Sequence, residues 1–338
     1  MTLAGDDRAY TFYLKMVHEA IEMLGESLPD ALLRAPEEYR SRISAEIADR
    51  IDRQKLEVRF FRAGTVLQQG GPRPWFGSWN TADGYLWRRL RSYLLVQKGW
   101  SAKDVDLLDD SSDRVMQYLE DPRPDSQFVQ NEFRTQGLVL GYVQSGKTAN
   151  FTALIAKSVD AGYKLVIVLS GIHNSLRAQT QRRLDLELGL VDDPKGVGTP
   201  SDTDQVWWPI TTSDLSGDFN PGTVRAAPIQ QGMRSIMVVK KNATVLRRLV
   251  RWLDGIVPAD LPVLVIDDEA DQASINTKAT LEDVDLTPND QGEYPEDKEL
   301  DPSIINGLIR DLLSRFSKVA FVAYTATPFA NVLIDPDA

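Results

Sequence analysis

Apolar residues are spaced in two different ways along this chain. Between residues 10 and 120 they recur at three- and four-residue steps, a spacing that predicts amphipathic helices. Beyond residue 124, short and nearly continuous apolar runs alternate with longer helical stretches, a pattern typical of a parallel sheet covered on both faces. We therefore predict a mostly helical N-terminal domain over residues 1–124 and an α/β domain over residues 125–338.

Helix-breaking and helix-capping residues divide the helical part into separate helices. Residues 85–96 form one amphipathic run, and the segment 64–79 before it is rich in glycine and proline, which breaks any helix. Ser111 and Ser112 precede a further apolar group and predict the N-cap of a last short helix. A proline-rich stretch ends that helix near residue 124.

The second part predicts five strands joined by helical crossovers. The strands cover residues 138–142, 165–169, 236–239, 263–266 and 319–323, and helices begin near Lys147, Asn174, Asn242 and Ser303. This order suffices for an open doubly wound sheet, whose ligand lies beyond the carboxyl ends of the strands. Residues 278–302 interrupt the pattern, and we expect them to form an acidic, mobile surface loop.

Composition narrows the function classes. The chain has 338 residues and no cysteine, which excludes disulfides, zinc-cysteine sites and thiol nucleophiles and is compatible with the cytoplasm. No apolar run reaches the roughly 18 residues that cross a bilayer, so we expect no membrane partner. The net charge of −11 argues against coating nucleic acid by bulk positive potential. Residues 282–301 hold nine carboxylates against one lysine, so a local basic groove elsewhere stays possible.

A phosphate-binding loop is the strongest motif. Gly141, Gly146, Lys147 and Thr148 satisfy the spacing G-x-x-x-x-G-K-[ST], with a predicted strand before them and a helix after them. Glycines let the backbone N–H groups face a polyphosphate, and the helix N-terminus adds partial positive charge. We expect Lys147 to reach the terminal phosphates and Thr148 to bind Mg²⁺. The predicted ATP-binding residues are Tyr142, Val143, Gln144, Ser145, Gly146, Lys147 and Thr148. The alternative is a structural glycine-rich turn.

An acidic cluster follows the fourth predicted strand. Asp267, Asp268 and Glu269 come directly after four apolar residues, where a phosphate-binding loop needs a second carboxylate. We predict that Asp268 holds Mg²⁺ with Thr148 and that Glu269 orients or deprotonates the attacking water, with Lys147 as the third catalytic residue. The alternative is a solvated strand end or a helix cap.

Two of these blocks resemble motifs of superfamily-two helicases. Residues 268–271, Asp-Glu-Ala-Asp, resemble the DEAD-type box, and residues 325–328, Thr-Ala-Thr-Pro, resemble the third motif. The resemblance implies a RecA-like domain in which Thr325 and Thr327 couple nucleotide state to domain movement. It also places residues 169–180 where helicases contact a nucleic-acid backbone. The candidate contacts there are Ser170, Asn174, Arg177 and Gln179, while the alternative is an ordinary surface helix with Leu176 and Leu184 packing inward.

Several blocks are more specific and resemble the Z-one domain family over roughly residues 125 to 335. They are Gly-Tyr-Val-Gln-Ser-Gly-Lys-Thr-Ala-Asn-Phe at 141–151, Asp-Ala-Gly-Tyr-Lys at 160–164, Gly-Ile-His-Asn at 171–174, Gln-Thr-Gln at 179–181 and Tyr-Thr-Ala-Thr-Pro-Phe-Ala-Asn at 324–331. The family is commonly labelled an endonuclease. The resemblance implies a bacterial or phage-defence setting, with restriction-type nucleases and MORC- or MutL-like ATPases as partners.

The motifs favour an ATPase motor over a nuclease. The common restriction-type nuclease site, an acid followed by an acid-x-lysine triplet, is not found outside the ATPase motifs. We therefore predict an ATP-hydrolysing domain of helicase type that depends on nucleic acid, expected to be DNA. The alternative is a nuclease, or a regulatory ATP switch that assembles a defence complex without translocation. Because the sequence stops at Ala338, soon after the third motif, we expect a fragment without a second RecA-like domain and with weak ATPase activity.

Other polar and aromatic positions stay open. Gln127 or Gln130 can read adenine or cap a helix. Trp207 and Trp208 can stack bases or fill a gap between elements.

Overall fold

The computed structural model describes residues 9–10, 12–17, 20, 28–45, 66–67, 72–78, 84–128, 130–140, 146–190, 207–270 and 301–325. Contacts within the chain divide it into two units, Met1–Phe60 and Phe61–Ala338. In the first unit, residues 12–17 and 37–45 are helical, as are Leu28–Leu32 (α1). Its buried side chains, among them Tyr10, Val17 and Ile43, form a hydrophobic cluster.

The second unit contains a seven-stranded sheet. Its strands are β1 (Val66–Leu67), β2 (Phe133–Leu140), β3 (Leu165–Ser170), β4 (Trp208–Pro209), β5 (Ser235–Lys240), β6 (Pro262–Asp268) and β7 (Lys318–Thr325). They lie in the order β1-β2-β7-β6-β3-β5-β4. β1 is antiparallel to β2, and the other six strands are parallel. The predicted α/β architecture with a parallel sheet is confirmed.

Seven α-helices of this unit have their bounds in the described ranges. They are α2 (Tyr85–Val96), α3 (Ala102–Met116), α4 (Lys147–Ala161), α5 (Asn174–Leu188), α6 (Ala227–Gln230), α7 (Ala243–Leu253) and α8 (Pro302–Ser314). A short 3₁₀ helix spans Pro74–Ser78. The four helix starts predicted for the α/β part agree with α4, α5, α7 and α8 to within one residue. No helix in the described ranges has both the length and the apolar character needed to cross a bilayer.

Alternate residues of the central strands feed two hydrophobic cores. On one face Val166 and Val168 pack with α2, α3 and α4. On the other face Leu165, Ile167 and Leu169 pack with α7 and α8. This two-sided burial explains why β3, buried at all six positions, is a continuous apolar run in the sequence.

The predicted helix start at Ser111 and Ser112 is wrong, because both residues lie inside α3. The N-cap of α3 is Ser101, whose hydroxyl accepts a hydrogen bond from the Asp104 amide at 3.1 Å. The hydroxyls of Ser111 and Ser112 instead donate to the Leu108 carbonyl at 3.0 and 2.8 Å. Serine can satisfy its hydroxyl this way within a helix, so its presence does not mark a start.

Helices α2 and α3 are bound to α4 by buried polar contacts. The Asp160 carboxylate of α4 accepts hydrogen bonds from the Leu86 and Trp87 amides at the start of α2, at 3.0 and 2.9 Å. The fully buried Lys157 ammonium of α4 forms ion pairs with Asp109 and Asp113 of α3. The domain boundary predicted after residue 124 lies within the second unit.

Candidate functional site

The motif predicted to bind phosphate ends at the start of α4. Gly146 has a φ of 74° and is the N-cap residue of that helix, a left-handed conformation that glycine adopts without steric cost. Lys147 and Thr148 are the first two helical residues and are half-buried, whereas Ala149 and Asn150 are buried. The free amides of this first turn therefore lie at a partly open helix N-terminus, which favours an anion. Of the other predicted ATP-binding residues, Tyr142, Val143, Gln144 and Ser145 lie outside the described ranges, as does Gly141.

Three strands bring the predicted motifs together. β7 lies between β2, which precedes the predicted phosphate loop, and β6, which carries the acidic residues. In the register of these strands Leu140 pairs with Thr325, and Asp268 pairs with Tyr324. Because the strands are parallel, the three carboxyl ends meet at one edge of the sheet, where ligands of such sheets bind.

The negative charge of the Asp268 carboxylate is only partly balanced by the positive charges near it. Burial raises the pKa of its carboxyl from the usual value to about 6, and the charge of Glu269 acts in the same direction. The ammonium groups of Lys147 and Lys241 oppose this rise in pKa, so Lys147 lies near enough to Asp268 to interact with it. A carboxylate in this environment gains from a nearby cation.

Glu269 has an unusual backbone conformation. Its φ of 58° makes it the one non-glycine residue with positive φ in the part of the chain that the structure describes. Such a conformation costs about 1–2 kcal/mol for a residue with a side chain, and strain of this kind concentrates at functional sites. The next residue is held in place, because the Ala270 amide donates to the Tyr324 carbonyl at 2.9 Å. A Cβ atom added at Gly171 would lie 3.6 Å from Glu269 Oε2, so the Glu269 carboxylate reaches the loop that follows β3.

Lys241 is a site residue that the sequence interpretation missed. It follows β5, is fully buried, and pairs with the equally buried Asp267 carboxylate at 2.9 Å. Its Nζ also donates to the carbonyls of Asp268 and Glu269 at 2.8 and 2.7 Å. The signal in the sequence was a lysine pair, Lys240 and Lys241, directly after an apolar strand at the ligand edge.

Thr325, a predicted coupling residue, is buried at the end of β7, and Thr327 lies outside the described ranges. The neighbouring Tyr324 is fully buried, and its hydroxyl donates to Asn150 Oδ1 at 2.9 Å. Asn150 Nδ2 in turn donates to the Ser111 hydroxyl at 2.9 Å. Through Asn150, β7 is connected both to the first turn of α4 and to Ser111 of α3.

The four predicted nucleic-acid contacts divide into two groups. Asn174 and Gln179 are exposed at the beginning and middle of α5. Ser170 is buried, and its hydroxyl shares a hydrogen bond with Thr180 at 2.9 Å. Arg177 is fully buried, and its guanidinium donates to the carbonyls of Thr212 and Asp214.

The expectation that Arg177 contacts phosphates is therefore corrected. Its side chain stabilises the loop before residue 218 from inside the protein, and burial lowers its pKa. Leu176, which packs inward in the alternative of an ordinary surface helix, is 37% exposed. Leu184 packs inward as expected for the alternative.

Trp207 and Trp208 lie at a different edge of the sheet. They line a cavity of ≈ 390 Å³ together with Ile210, Val224 and Arg225. Trp208 pairs with Ser235, the first residue of β5, so this cavity begins at the amino end of the sheet. Asp268 lies on β6 at the opposite, carboxyl edge of the sheet.

The residues present fit a magnesium ion only if phosphate oxygens complete its coordination. Among the residues that the structure describes, no three histidine, cysteine, aspartate or glutamate side chains are grouped to hold a metal. Mg²⁺ in nucleotide sites is held by one or two protein oxygens together with phosphates and water. The Thr148 hydroxyl and the partly balanced Asp268 carboxylate are oxygen donors of that kind.

Comparisons with known proteins add no assignment. No family model matches the chain, and no curated protein matches it significantly. The resemblances to superfamily-two helicases and to the Z-one domain family remain hypotheses.

Proposed function

We propose that residues 125–338 form a RecA-like P-loop domain that binds Mg·ATP and hydrolyses it. One observation carries the proposal. The helix start at Lys147 follows β2, and the acidic pair Asp268 and Glu269 lies at the end of β6, two strands away across β7 at the same edge of a parallel sheet. This arrangement provides positive charge and amides for phosphates beside carboxylates for a cation and a water molecule.

Each residue then has a role set by its position. The Lys147 ammonium and the amides at the start of α4 bind the terminal phosphates and stabilise the charge that develops on them during hydrolysis. Thr148 and Asp268 would hold Mg²⁺, which supplies screening of the phosphate charge when bound. The Glu269 carboxylate orients the attacking water and accepts its proton, a role suited to a carboxylate at the side of the phosphates.

We also propose that ATP hydrolysis by this domain depends on nucleic acid, which we expect to be DNA. Asn174 and Gln179 offer exposed polar side chains on α5, and α5 begins just after Gly171, beside the Glu269 carboxylate. A nucleic-acid backbone bound along the start of α5 would lie next to the turn that carries Asp268 and Glu269, which we call the catalytic turn. The helicase resemblance supports this arrangement, with Thr325 and Thr327 as coupling residues.

The Z-one resemblance supports a wider setting as part of the proposal. It is a bacterial restriction or phage-defence system in the cytoplasm, with nucleases or MORC- or MutL-like ATPases as partners. In this setting the chain supplies ATP-driven movement, and DNA cleavage belongs to a partner.

Glu269→Gln tests the hydrolytic role. We expect it to lower the rate of ATP hydrolysis by about 10²–10⁴-fold, because the amide cannot accept the proton of the attacking water, and to leave nucleotide binding intact. Phosphate release is measured with Mg·ATP, with and without duplex and single-stranded DNA. Glu132→Gln, an exposed acid at the amino end of β2, is the matched control and should keep the original rate.

Two results would contradict the proposal. Hydrolysis by Glu269→Gln at the original rate would remove Glu269 from the mechanism. Plasmid cleavage that needs Mg²⁺ and persists without ATP would instead favour a nuclease.

A further inference from the structure

Lys241 lies where three parallel strands end. It directly follows β5 and is fully buried, with no solvent-accessible surface. Its neighbours are β3, which pairs with β5, and β6, which pairs with β3. A buried ammonium is costly unless all its protons have acceptors, so the acceptors identify its role.

All three protons of the Lys241 ammonium point to the catalytic turn. They are donated to Asp267 Oδ1 at 2.9 Å, to the Asp268 carbonyl at 2.8 Å and to the Glu269 carbonyl at 2.7 Å. Two of these acceptors are backbone atoms of the residues proposed to bind Mg²⁺ and to orient water. Because Glu269 has a φ of 58°, its conformation persists only if neighbouring groups hold it.

The backbone of Lys241 contacts the adjacent strand end. Its amide donates to the carbonyls of Ser170 and Gly171 at 3.2 and 3.4 Å. Gly171 is also the residue against which the Glu269 carboxylate lies. One residue thus contacts both the turn that carries Glu269 and the loop that leads into α5.

We propose that Lys241 is a positioning residue that fixes the backbone of Asp268 and Glu269 and ties it to the loop after β3. The inference rests on the proposed ATPase function and adds a residue to it. Lys241 touches neither nucleotide nor water in this account. It acts by keeping Glu269 in the orientation that hydrolysis needs, so its loss should affect turnover and spare nucleotide binding.

The test uses the whole chain with Lys241→Met combined with Asp267→Asn. The double change avoids leaving the buried Asp267 carboxylate without its lysine, which would destabilise the fold. Two quantities are measured, the Kd for mant-ATP with Mg²⁺ and the single-turnover rate of ATP hydrolysis. We expect the Kd to stay within about threefold and the rate to fall about 10²-fold, as for small misplacements of catalytic groups. Lys241→Arg should recover part of the rate, because it keeps the positive charge and several donors.

A second buried lysine provides the matched control. Lys157→Met with Asp113→Asn removes both ion pairs that Lys157 of α4 makes with α3. Neither pair involves Glu269, so this variant should keep the hydrolysis rate. A normal rate in the Lys241 variant, or an equal loss of binding and rate, would overturn the positioning role. If the proposed ATPase function itself were wrong, the result would differ from both of these outcomes, because the unchanged chain would neither bind mant-ATP nor hydrolyse ATP.

Discussion

Two residues at the carboxyl edge of the sheet hold left-handed backbone conformations for different reasons. Gly146 adopts a φ of 74° at no steric cost, which lets the chain turn into α4 with its amides facing outward. Glu269 adopts a φ of 58° with a side chain present, and the surrounding hydrogen bonds from Lys241 offset the cost. If this edge is the phosphate site that we propose, the two pre-set backbones would reduce the reorganisation needed when a nucleotide binds.

Gly146→Ala tests the first of these conformations. We expect a loss of about 1–2 kcal/mol in the free energy of unfolding, because an alanine pays the left-handed cost, together with weaker binding of mant-ATP. Urea denaturation and nucleotide titration measure the two effects.

Gly232→Ala is the control that distinguishes the cost of left-handed backbone strain from an effect on nucleotide binding. Gly232 has a φ of 65° and no atom within 4 Å of an added Cβ, so this variant should lose similar stability and keep its affinity for nucleotide. Equal nucleotide affinity in both variants would mean that the Gly146 turn does not shape the site.

The errors at single residues have a physical pattern. Lys241 was missed and Arg177 misplaced because sequence periodicity treats charged side chains as exposed, whereas both are fully buried with backbone carbonyls as acceptors. Those acceptors come from turns far along the chain, and no local pattern reports them. Asp268 and Glu269 do lie at the carboxyl edge of the sheet, because the position of an acid at the end of a buried strand is fixed by the strand.

Elements were more predictable than side chains. Strands β3, β5 and β6 are nearly continuous apolar runs because both faces of the sheet are covered. The two-residue strands β1 and β4 carry too little pattern to be predicted. Strand order was also beyond the sequence, and the position of β7 between β2 and β6 is what joins the three motifs.

Tyr324→Phe tests the connection between β7 and α4. The change removes the hydroxyl that donates to Asn150 Oδ1 and leaves a buried acceptor unpaired, so we expect a loss of about 1–3 kcal/mol in the free energy of unfolding. We also expect Mg·ATP to raise the melting temperature less than in the unchanged chain, because Asn150 lies in the first turn of α4.

Tyr163→Phe is the matched control for this element. Its buried hydroxyl donates to the Glu120 carbonyl at 3.0 Å, and its ring packs on Phe133 at the amino end of β2, away from the carboxyl edge of the sheet. It should lose comparable stability while Mg·ATP raises its melting temperature as usual. If the two variants respond to Mg·ATP alike, the Tyr324 bond does not belong to the nucleotide site.

At the scale of the second unit, the helices α2 and α3 are part of the structure that supports α4. Trp87 and Leu90 of α2 and Met116 of α3 share one hydrophobic core with Phe151 of α4. Polar contacts from Asp160 and Lys157 reinforce the same interface. Helix α4 is therefore held from both the sheet and the helices α2 and α3, which would suit a rigid phosphate site at its start.

The central claim is that the start of α4 binds the phosphates of a nucleotide, and Lys147→Ala tests it most directly. The measurement is calorimetric titration of the whole chain with Mg·ATP, with Lys103→Ala, an exposed lysine of α3, as the control. We predict that the unchanged chain and the control bind Mg·ATP and that Lys147→Ala loses at least about 10-fold in affinity, equivalent to about 1.4 kcal/mol. Equal affinity in all three proteins, or no binding by the unchanged chain, would contradict the account.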